Sequence, residues 1–502
     1  MVELSTRPRA THDRSEAVPL SAASLDRLPA AIARPDYDRQ RLRAGIVHFG
    51  VGNFHRAHQA VYLDRLMNAG HAHDWAIIGV ATRQPDIAVR DDLAAQNYLH
   101  SVVEQTAHGS TASVIGPMTG MVGPDEPDTV LDALADPDIR IVSLTVTEGG
   151  YYLDGAGAFD ATHPEIARDA EGTPRTVFGQ IAEALSRRRE AGTPPFTVMS
   201  CDNLPHNGAV ARAAVVGTAR LRDPSLAEWI EAQVSFPNGM VDRITPATGE
   251  RELRLIAEEH GVADRRPVFC EDFIQWVLED DFPAGRPPLE EAGVEFVADV
   301  TAHEMMKLRV LNAGHAIIAY PAGLLGIEFA HEAMAHPLVS GFLDKVERTE
   351  IVPHVPSIEG TDPVAYYERC AERFANPKIA DTIARLCHDG SNRQPKFVVP
   401  TIRDAVAGGA SLRGLALESA LWCRYCYGED EKGRVIPPND PDWGALSARA
   451  RRARDNPAEW LELRTVYGDL GTDERFQAAF TAALEALWRD GTAATIEAYL
   501  AS

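Results

Sequence analysis

Residues 44–58 read Ala44-Gly45-Ile46-Val47-His48-Phe49-Gly50-Val51-Gly52-Asn53-Phe54-His55-Arg56-Ala57-His58. An apolar run of strand length ends in two glycines, and residues of helical composition follow. This is strand, turn, helix, and its start matches the phosphate-binding pattern G-x-G-x-x-G in the place where that pattern has meaning. Two glycines let the backbone turn tightly and approach a pyrophosphate, and the helix start beyond them offers free N–H groups. His55 stands where the third glycine belongs, so the pattern taken alone is equally a bare turn. Its position at the head of the first α/β unit favours a dinucleotide.

Similar runs recur downstream. Residues 75–81 (WAIIGVA), 139–147 (IRIVSLTVT) and 196–201 (FTVMSC) are apolar and rich in β-branched types. Residues 56–69 and 177–191 between them have helical spacing. Strands alternating with helices predict a parallel sheet. Residues 97–104 and 112–118 lie close together and predict a hairpin inserted in that sheet. Beyond about residue 301 long helical patterns take over, at 301–320, 366–374, 379–386, 415–427 and 474–489, and few β-branched runs remain. The fold class expected is an α/β Rossmann-type nucleotide-binding domain over residues 41–298, followed by a mostly α-helical substrate and catalytic domain over 299–502. Residues 1–40 read as an N-terminal arm with a short helix at 21–28, stopped by Pro29.

The whole chain has 502 residues, 45% of them hydrophobic, and a formal net charge of -24. That charge repels nucleic acid and anionic membrane surfaces, so neither is expected as a partner. Six cysteines are too few for a disulfide framework, which points to a reducing cytoplasm. Charges are scattered from Glu3 to Arg14 with no apolar run, so no signal peptide is expected. Residues 310–327 are uncharged, but Asn312, His315 and Pro321 make a buried core helix the better reading than a membrane span. A monomer or weak homo-oligomer is expected.

The chemistry gathers on residues 304–315, Glu304-Met305-Met306-Lys307-Leu308-Arg309-Val310-Leu311-Asn312-Ala313-Gly314-His315. With steps of about 100° on an α-helix, Glu304, His315 and Asn312 fall at about 60°, 80° and 140° from Lys307. All four share one side of an otherwise apolar helix. Burying them costs several kcal/mol unless they are paired, so a purely structural helix has no use for the set. The competing reading is a solvated polar face. Alcohol oxidation needs a base for the hydroxyl proton, and a lysine serves once desolvation brings its pKa from about 10.4 to near 7 or 8. The developing oxyanion needs donors, which neutral amides supply without a metal. Asn312 is one candidate. Asn203, in Ser200-Cys201-Asp202-Asn203-Leu204-Pro205-His206-Asn207-Gly208, is another, at the carboxyl edge of a predicted strand. For Asp202 and Asn207 an Asx turn starting the next helix is an equal reading. Near the second strand, Asp86 is the acid available for the adenosine ribose, while Arg83 suits a 2′-phosphate. The residues alone leave NAD and NADP both open.

Lys307, Asn312 and His315 in K-x4-N-x2-H spacing, together with GVGNFHRAHQA, SLTVTEGGYY, SCDNLPHNGAV, FPNGMVDRITP, QWVLEDDFPAGRP and DGSNRQPKFVVPTIRD, closely resemble the polyol-specific long-chain dehydrogenases. The resemblance runs in order from about residue 44 to beyond 430. It implies a two-domain enzyme, with its active site in the cleft between the domains, that oxidises a polyol secondary alcohol to a ketose, D-mannitol to D-fructose foremost, with NAD and without a metal. It implies that Lys307 is the general base, Asn203 and Asn312 the oxyanion donors, His315 an orienting residue and Glu304 a proton relay. Asp242 matches a substrate-hydroxyl ligand, and Arg385 and Arg393 match groups for the far hydroxyls. The candidate coenzyme contacts are Gly50, Gly52, Phe54, His55, Arg56, Asp86 and Glu148. Arg393 stands where Lys is also used, and Ala313-Gly314 stands where Gly-Ser is common.

Uronate reductases acting on fructuronate or tagaturonate share the lysine helix, and Arg385 and Arg393 suit a carboxylate. D-arabitol and D-sorbitol are further substrate candidates. A binding protein that kept the fold and lost activity is disfavoured by the intact Lys307, Asn203, Asn312 and His315. Cys423 and Cys426 form one CxxC with no second pair at zinc spacing. His331 and His336 are five residues apart and lie about 140° apart on a helix. Neither pair assigns a metal. For His55, His58 and His206, local hydrogen bonding is the stronger reading.

Overall fold

The computed structural model describes residues 16–155 and 157–502. The chain divides into two compact units, the second running Thr301–Ser502. In the first, the apolar runs become β1 (Ala44–Phe49), β2 (Ala76–Val80), β3 (Met118–Val122), β4 (Ile141–Leu144) and β5 (Thr197–Ser200). They lie in the order β3-β2-β1-β4-β5, all parallel, with Ile46 opposite both Ile77 and Ile141. That order starts at the middle and winds outward both ways, so the strand order reverses between β1 and β4, where doubly wound sheets bind ligands. Helices cover both faces, and so β1 and β4 are buried almost throughout. Phe178, Ile181 and Leu185 of the helix Val177–Ala191 pack on one face, and Tyr62, Leu63 and Leu66 of Gln59–Asn68 contribute to the core on the other.

Three expectations are corrected here. The run 139–147 is a strand only over Ile141–Leu144. Thr147 turns at φ +67°, and the N–H groups of Val146 and Thr147 go to the Asp202 carboxylate instead of a ladder. The hairpin forms as His100–Thr106 against Gly109–Ile115, but it joins Val268–Glu271 in a separate three-stranded sheet. The helix expected at 56–69 is two helices, Asn53–Ala57 and Gln59–Asn68, broken at His58, whose ψ is -90°. Of the N-terminal stretch, residues 1–15 lie outside the described residues. Val18–Pro19 pairs with Val262–Ala263, and Leu20, Leu28 and Ile32 are buried beside Leu99 and Val103. The helix near residue 21 is a 3-10 turn, Ala22–Arg27.

The second unit is built of helices. Ala313–Leu325 and Arg413–Cys426 run through its core, and Glu474–Ala501 closes it with a kink at Gly491 (φ +82°). The helix expected at 379–386 is shorter, Ile383–Leu386. No helix among the described residues is long and apolar enough to cross a membrane.

Glu418, on Arg413–Cys426, is fully buried, and its Oε1 accepts a hydrogen bond of 2.5 Å from Gln394 Nε2. Burial pushes its carboxyl up to about 8. The folded protein therefore holds this proton more tightly than the unfolded chain, whose glutamates titrate near 4.3. Its stabilising effect is complete at low pH and is lost as pH rises from about 5 towards 8. Glu418→Gln keeps an acceptor for Gln394 and cannot ionise. It is expected to raise the melting midpoint at pH 8 by roughly 5 °C and to leave it nearly unchanged at pH 5. Equal midpoints for variant and parent at pH 8 would contradict this.

Candidate active site

In the first unit a cavity of about 990 Å³ opens past the carboxyl ends of β1, β2 and β4. The turn after β1 forms one wall. Gly50 sits at φ +91°, and a Cβ there would lie 2.1 Å from the Thr145 carbonyl, so only glycine fits. Gly52 has open space at its Cα and caps the helix Asn53–Ala57. This leaves bare backbone facing the cavity, the surface a pyrophosphate needs. Below the turn, His48 bridges Ser143 Oγ (2.8 Å) and Thr145 Oγ1 (2.9 Å), tying β1 to β4. Burial lowers its pKa to about 3, so it is a neutral strut.

The candidate coenzyme residues divide. Gly50, Gly52, Arg56 and Asp86 line the cavity, and Phe54, His55 and Glu148 do not. Phe54 stacks on His58 at 4.8 Å. His55 is buried against His48, ring on ring at 3.6 Å, with no hydrogen-bond partner on either nitrogen. Desolvation, reinforced by His48, holds its pKa well below the usual range. The place of the third glycine is thus taken by a flat neutral ring packed inward. Arg56 donates to Asn53 Oδ1 at 2.7 Å. Asp86 accepts from the Arg83 backbone (3.0 Å) and guanidinium (3.1 Å).

Past β5 lies the segment carrying Asn203. Asp202 does not start the next helix. Its carboxylate is buried and accepts from Val146 N (3.0 Å), Thr147 N (2.8 Å) and Tyr151 Oη (2.7 Å). Asn203 follows directly and is exposed. Asn207 donates to the carbonyls of Asp202 (3.0 Å) and Gly239 (2.7 Å) and accepts from Gly239 N (2.9 Å). It thereby fastens this segment to the strand Gly239–Asp242, which ends on the buried Asp242. The neighbouring Arg243 is structural, donating to Ala57 O (2.6 Å) and Glu104 Oε1 (2.5 Å). His206 is exposed at φ +51°.

In the second unit the lysine helix departs from a continuous α-helix. Thr301–Met306 is α-helical, Lys307–Asn312 is a π-turn, and the α-helix resumes at Ala313–Leu325. Ala313 N–H bonds to Leu308 O, five residues back. This corrects the angular count. The wider i→i+5 turn advances by less per residue than an α-helix, so Lys307 and Asn312, five apart, fall at about 50° from one another around the axis. Uniform α-steps would separate them by about 140°. Glu304, Lys307, Asn312 and His315 are exposed by only 7, 7, 8 and 8%, which rules out a solvated polar face. Arg309 pins the turn through Asp404 Oδ2 (2.6 Å) and His354 O (2.5 Å).

His315 packs on Phe374 at 4.4 Å between ring centres. Burial holds its pKa well below the usual range, helped by Arg385, Arg393 and Arg373. The structure thus gathers His315, Arg385 and Arg393. Arg385 is bound by Asp381, with Nε to Oδ1 at 2.5 Å, and Arg393 donates to Leu386 O at 2.8 Å. Behind the turn lies Glu347, fully buried, both oxygens without a hydrogen-bond partner. Burial raises its carboxyl well above the usual range. A Cβ on Gly314 would lie 3.1 Å from its Oε1. A larger residue there would press on Glu347 and on the Phe374 ring.

A family model for the mannitol dehydrogenase Rossmann domain matches residues 44–291, and one for the mannitol dehydrogenase C-terminal domain matches residues 299–488. The chain belongs to the mannitol dehydrogenase family. It is 57% identical to mannitol 2-dehydrogenase of Cereibacter sphaeroides over 94% of this chain and 99% of the relative. It is 43% identical to mannitol 2-dehydrogenase of Aspergillus terreus over 95% and 97%. Among solved structures, a Pseudomonas fluorescens mannitol 2-dehydrogenase ternary complex with NAD and D-mannitol matches with TM-score 0.86 and 41% identity, over 97% of this chain and 100% of that one. A substrate-free D-sorbitol dehydrogenase matches with TM-score 0.88 and 38% identity, over 95% and 100%.

In this mannitol dehydrogenase family chain the cysteines are all free thiols, with Cys423 and Cys426 buried in the core helix Arg413–Cys426. Among the described residues no cluster of three His, Cys, Asp or Glu side chains could hold a metal ion. Sequence reasoning missed the Asp202 acceptor set and Glu347. The signal for Asp202 was its place right after the strand and before Asn203. For Glu347, within a charged run Lys345-Val346-Glu347-Arg348-Thr349-Glu350, there was none.

Proposed function

We propose that this chain oxidises a secondary alcohol of a polyol, D-mannitol before others, to the ketose with NAD and without a metal. The observation that carries the reading is the burial of Glu304, Lys307, Asn312 and His315 on one helix, with a π-turn that brings Lys307 and Asn312 closer around its axis. The glycine turn, with bare backbone at Gly50 and Gly52 and the buried Arg56 nearby, suits a dinucleotide. When bound, the nicotinamide supplies the hydride acceptor. Lys307 Nζ takes the substrate hydroxyl proton, and Glu304 passes it towards solvent. The side-chain amides of Asn203 and Asn312 donate to the oxygen as it gains charge. His315, neutral in its apolar setting, orients the hydroxyl by a hydrogen bond, and Asp242 accepts from another. Arg385 and Arg393 meet the far hydroxyls. In ketone reduction the same lysine returns the proton.

The D-sorbitol dehydrogenase fold match makes D-sorbitol the competing polyol. Initial rates on D-mannitol, D-arabitol, D-sorbitol and D-mannonate with each coenzyme test the reading. D-mannitol with NAD is expected to give the highest kcat/KM. A strong preference for D-mannonate overturns it, as does loss of activity to a chelator with recovery on adding zinc.

Coenzyme choice yields a further prediction. Asp86 at the cavity wall holds the Arg83 guanidinium. Asp86→Ala removes an acceptor for a ribose 2′-hydroxyl and releases a cation for a 2′-phosphate. The NAD over NADP ratio of kcat/KM is expected to fall by about tenfold or more, the worth of one charged hydrogen bond. An unchanged ratio would place the discriminating contact elsewhere.

A further inference from the structure

Thr147 is a β-branched residue at φ +67°, a conformation such residues rarely hold. Backbone of this kind persists where its surroundings over-determine it, and it clusters at functional sites. Gly150 N–H bonds to the Thr147 carbonyl at 3.0 Å, and on the amide side the constraint is one side chain. Asp202 Oδ1 accepts from Thr147 N, and Asp202 Oδ2 accepts from Val146 N and Tyr151 Oη. Tyr151 is fully buried and also meets Ser200 Oγ at 2.6 Å, and Asp202 N donates to that same hydroxyl at 3.3 Å. The carboxylate thus reaches from the end of β5 to the end of β4, where the ladder stops and the chain turns away. Thr145, Val146 and Thr147 all line the cavity. Asn203 is the next residue along from Asp202, so any shift of one carries the other.

We propose that Asp202 is a positioning residue that sets two parts of the site with one side chain, the Thr145–Thr147 wall of the coenzyme cavity and the amide of Asn203. The second half rests on Asn203 being an oxyanion donor. A carboxylate is required because two backbone N–H groups and a hydroxyl converge on two acceptor oxygens. An amide would turn an NH2 group against one of them. The Asp202→Asn protein should let Thr147 relax towards negative φ, moving the cavity wall and Asn203 together.

The test uses the full-length Asp202→Asn enzyme, with kcat corrected for the fraction that binds NADH. Loss of a buried, charged backbone acceptor is expected to raise the Kd for NADH by about tenfold and to lower kcat at saturating NAD by about tenfold or more. Adding Thr147→Gly supplies a residue that takes positive φ freely. It is expected to restore NADH binding and to leave kcat low, since Asn203 remains misplaced. A role in stability alone would lower the titratable fraction and move neither constant. Should Asp202→Asn fail to fold, Tyr151→Phe removes one donor from the same carboxylate and should give the same split at smaller size. NADH affinity within twofold of the parent in the folded variant overturns the proposal, as does joint rescue of both constants by Thr147→Gly. If Asn203 is not a donor, Asn203→Ala keeps parental kcat while Asp202→Asn still weakens NADH binding, which separates the two failures.

Discussion

Lys307→Ala is expected to lower kcat for polyol oxidation by about 10³- to 10⁴-fold, the span attributed to a positioned general base. The residue sits at the start of the π-turn and is 7% exposed. NADH binding should survive. Every residue lining the cavity proposed for the coenzyme belongs to the first unit, and Lys307 to the second. Fluorescence titration with NADH alongside steady-state rates checks both halves. A rate within tenfold of the parent would remove Lys307 as the base, and loss of NADH binding would indicate collapse of the fold.

The second large effect concerns the two amides. Asn312→Ala and Asn203→Ala are each expected to lower kcat by about 10²-fold or more, the cost of removing one preorganised oxyanion donor. KM for the polyol should move little, because the donors act on charge that develops only in the transition state. The proposed function has both donors serve one oxygen, so the double variant should fall short of the product of the two losses. Measuring kcat and KM for the three proteins decides the matter. A rise in KM with kcat unchanged would make these residues ordinary substrate ligands. Asn312 carries an added condition. Its alignment with Lys307 depends on the π-turn, so deleting Leu308 to restore α-spacing should abolish activity even where the second unit stays folded.

The parallel sheet was legible because its strands are buried on both faces and read as β-branched runs, as at Ile46-Val47 and Ile141-Val142. Other features had no local signal. The hairpin's partner, Val268–Glu271, lies over 150 residues downstream, so its sheet could not be read locally. The run 139–147 has strand composition to its end, yet Asp202 draws the N–H groups of Val146 and Thr147 out of the sheet. The polar set on residues 304–315 was visible from spacing, because burial of four such side chains demands a reason. The π-turn was not, since residues that suit an α-helix also suit one widened turn. It brings Lys307 and Asn312 closer in angle than uniform steps allow. Arg385 and Arg393 were legible only as cations. That Asp381 pairs with Arg385 was not legible, because Asp381 lies ahead of the helix Ile383–Leu386 and the turn between them sets the contact.

Steady-state rates of such enzymes can be set by release of the reduced coenzyme and so conceal the chemical step. Single-turnover formation of NADH from D-mannitol, followed by absorbance with enzyme in excess, isolates proton and hydride transfer. The account predicts a step slowed by about 10³-fold or more in Lys307→Ala, with the parent far faster at the same pH. A single-turnover rate in the variant within tenfold of the parent would contradict it.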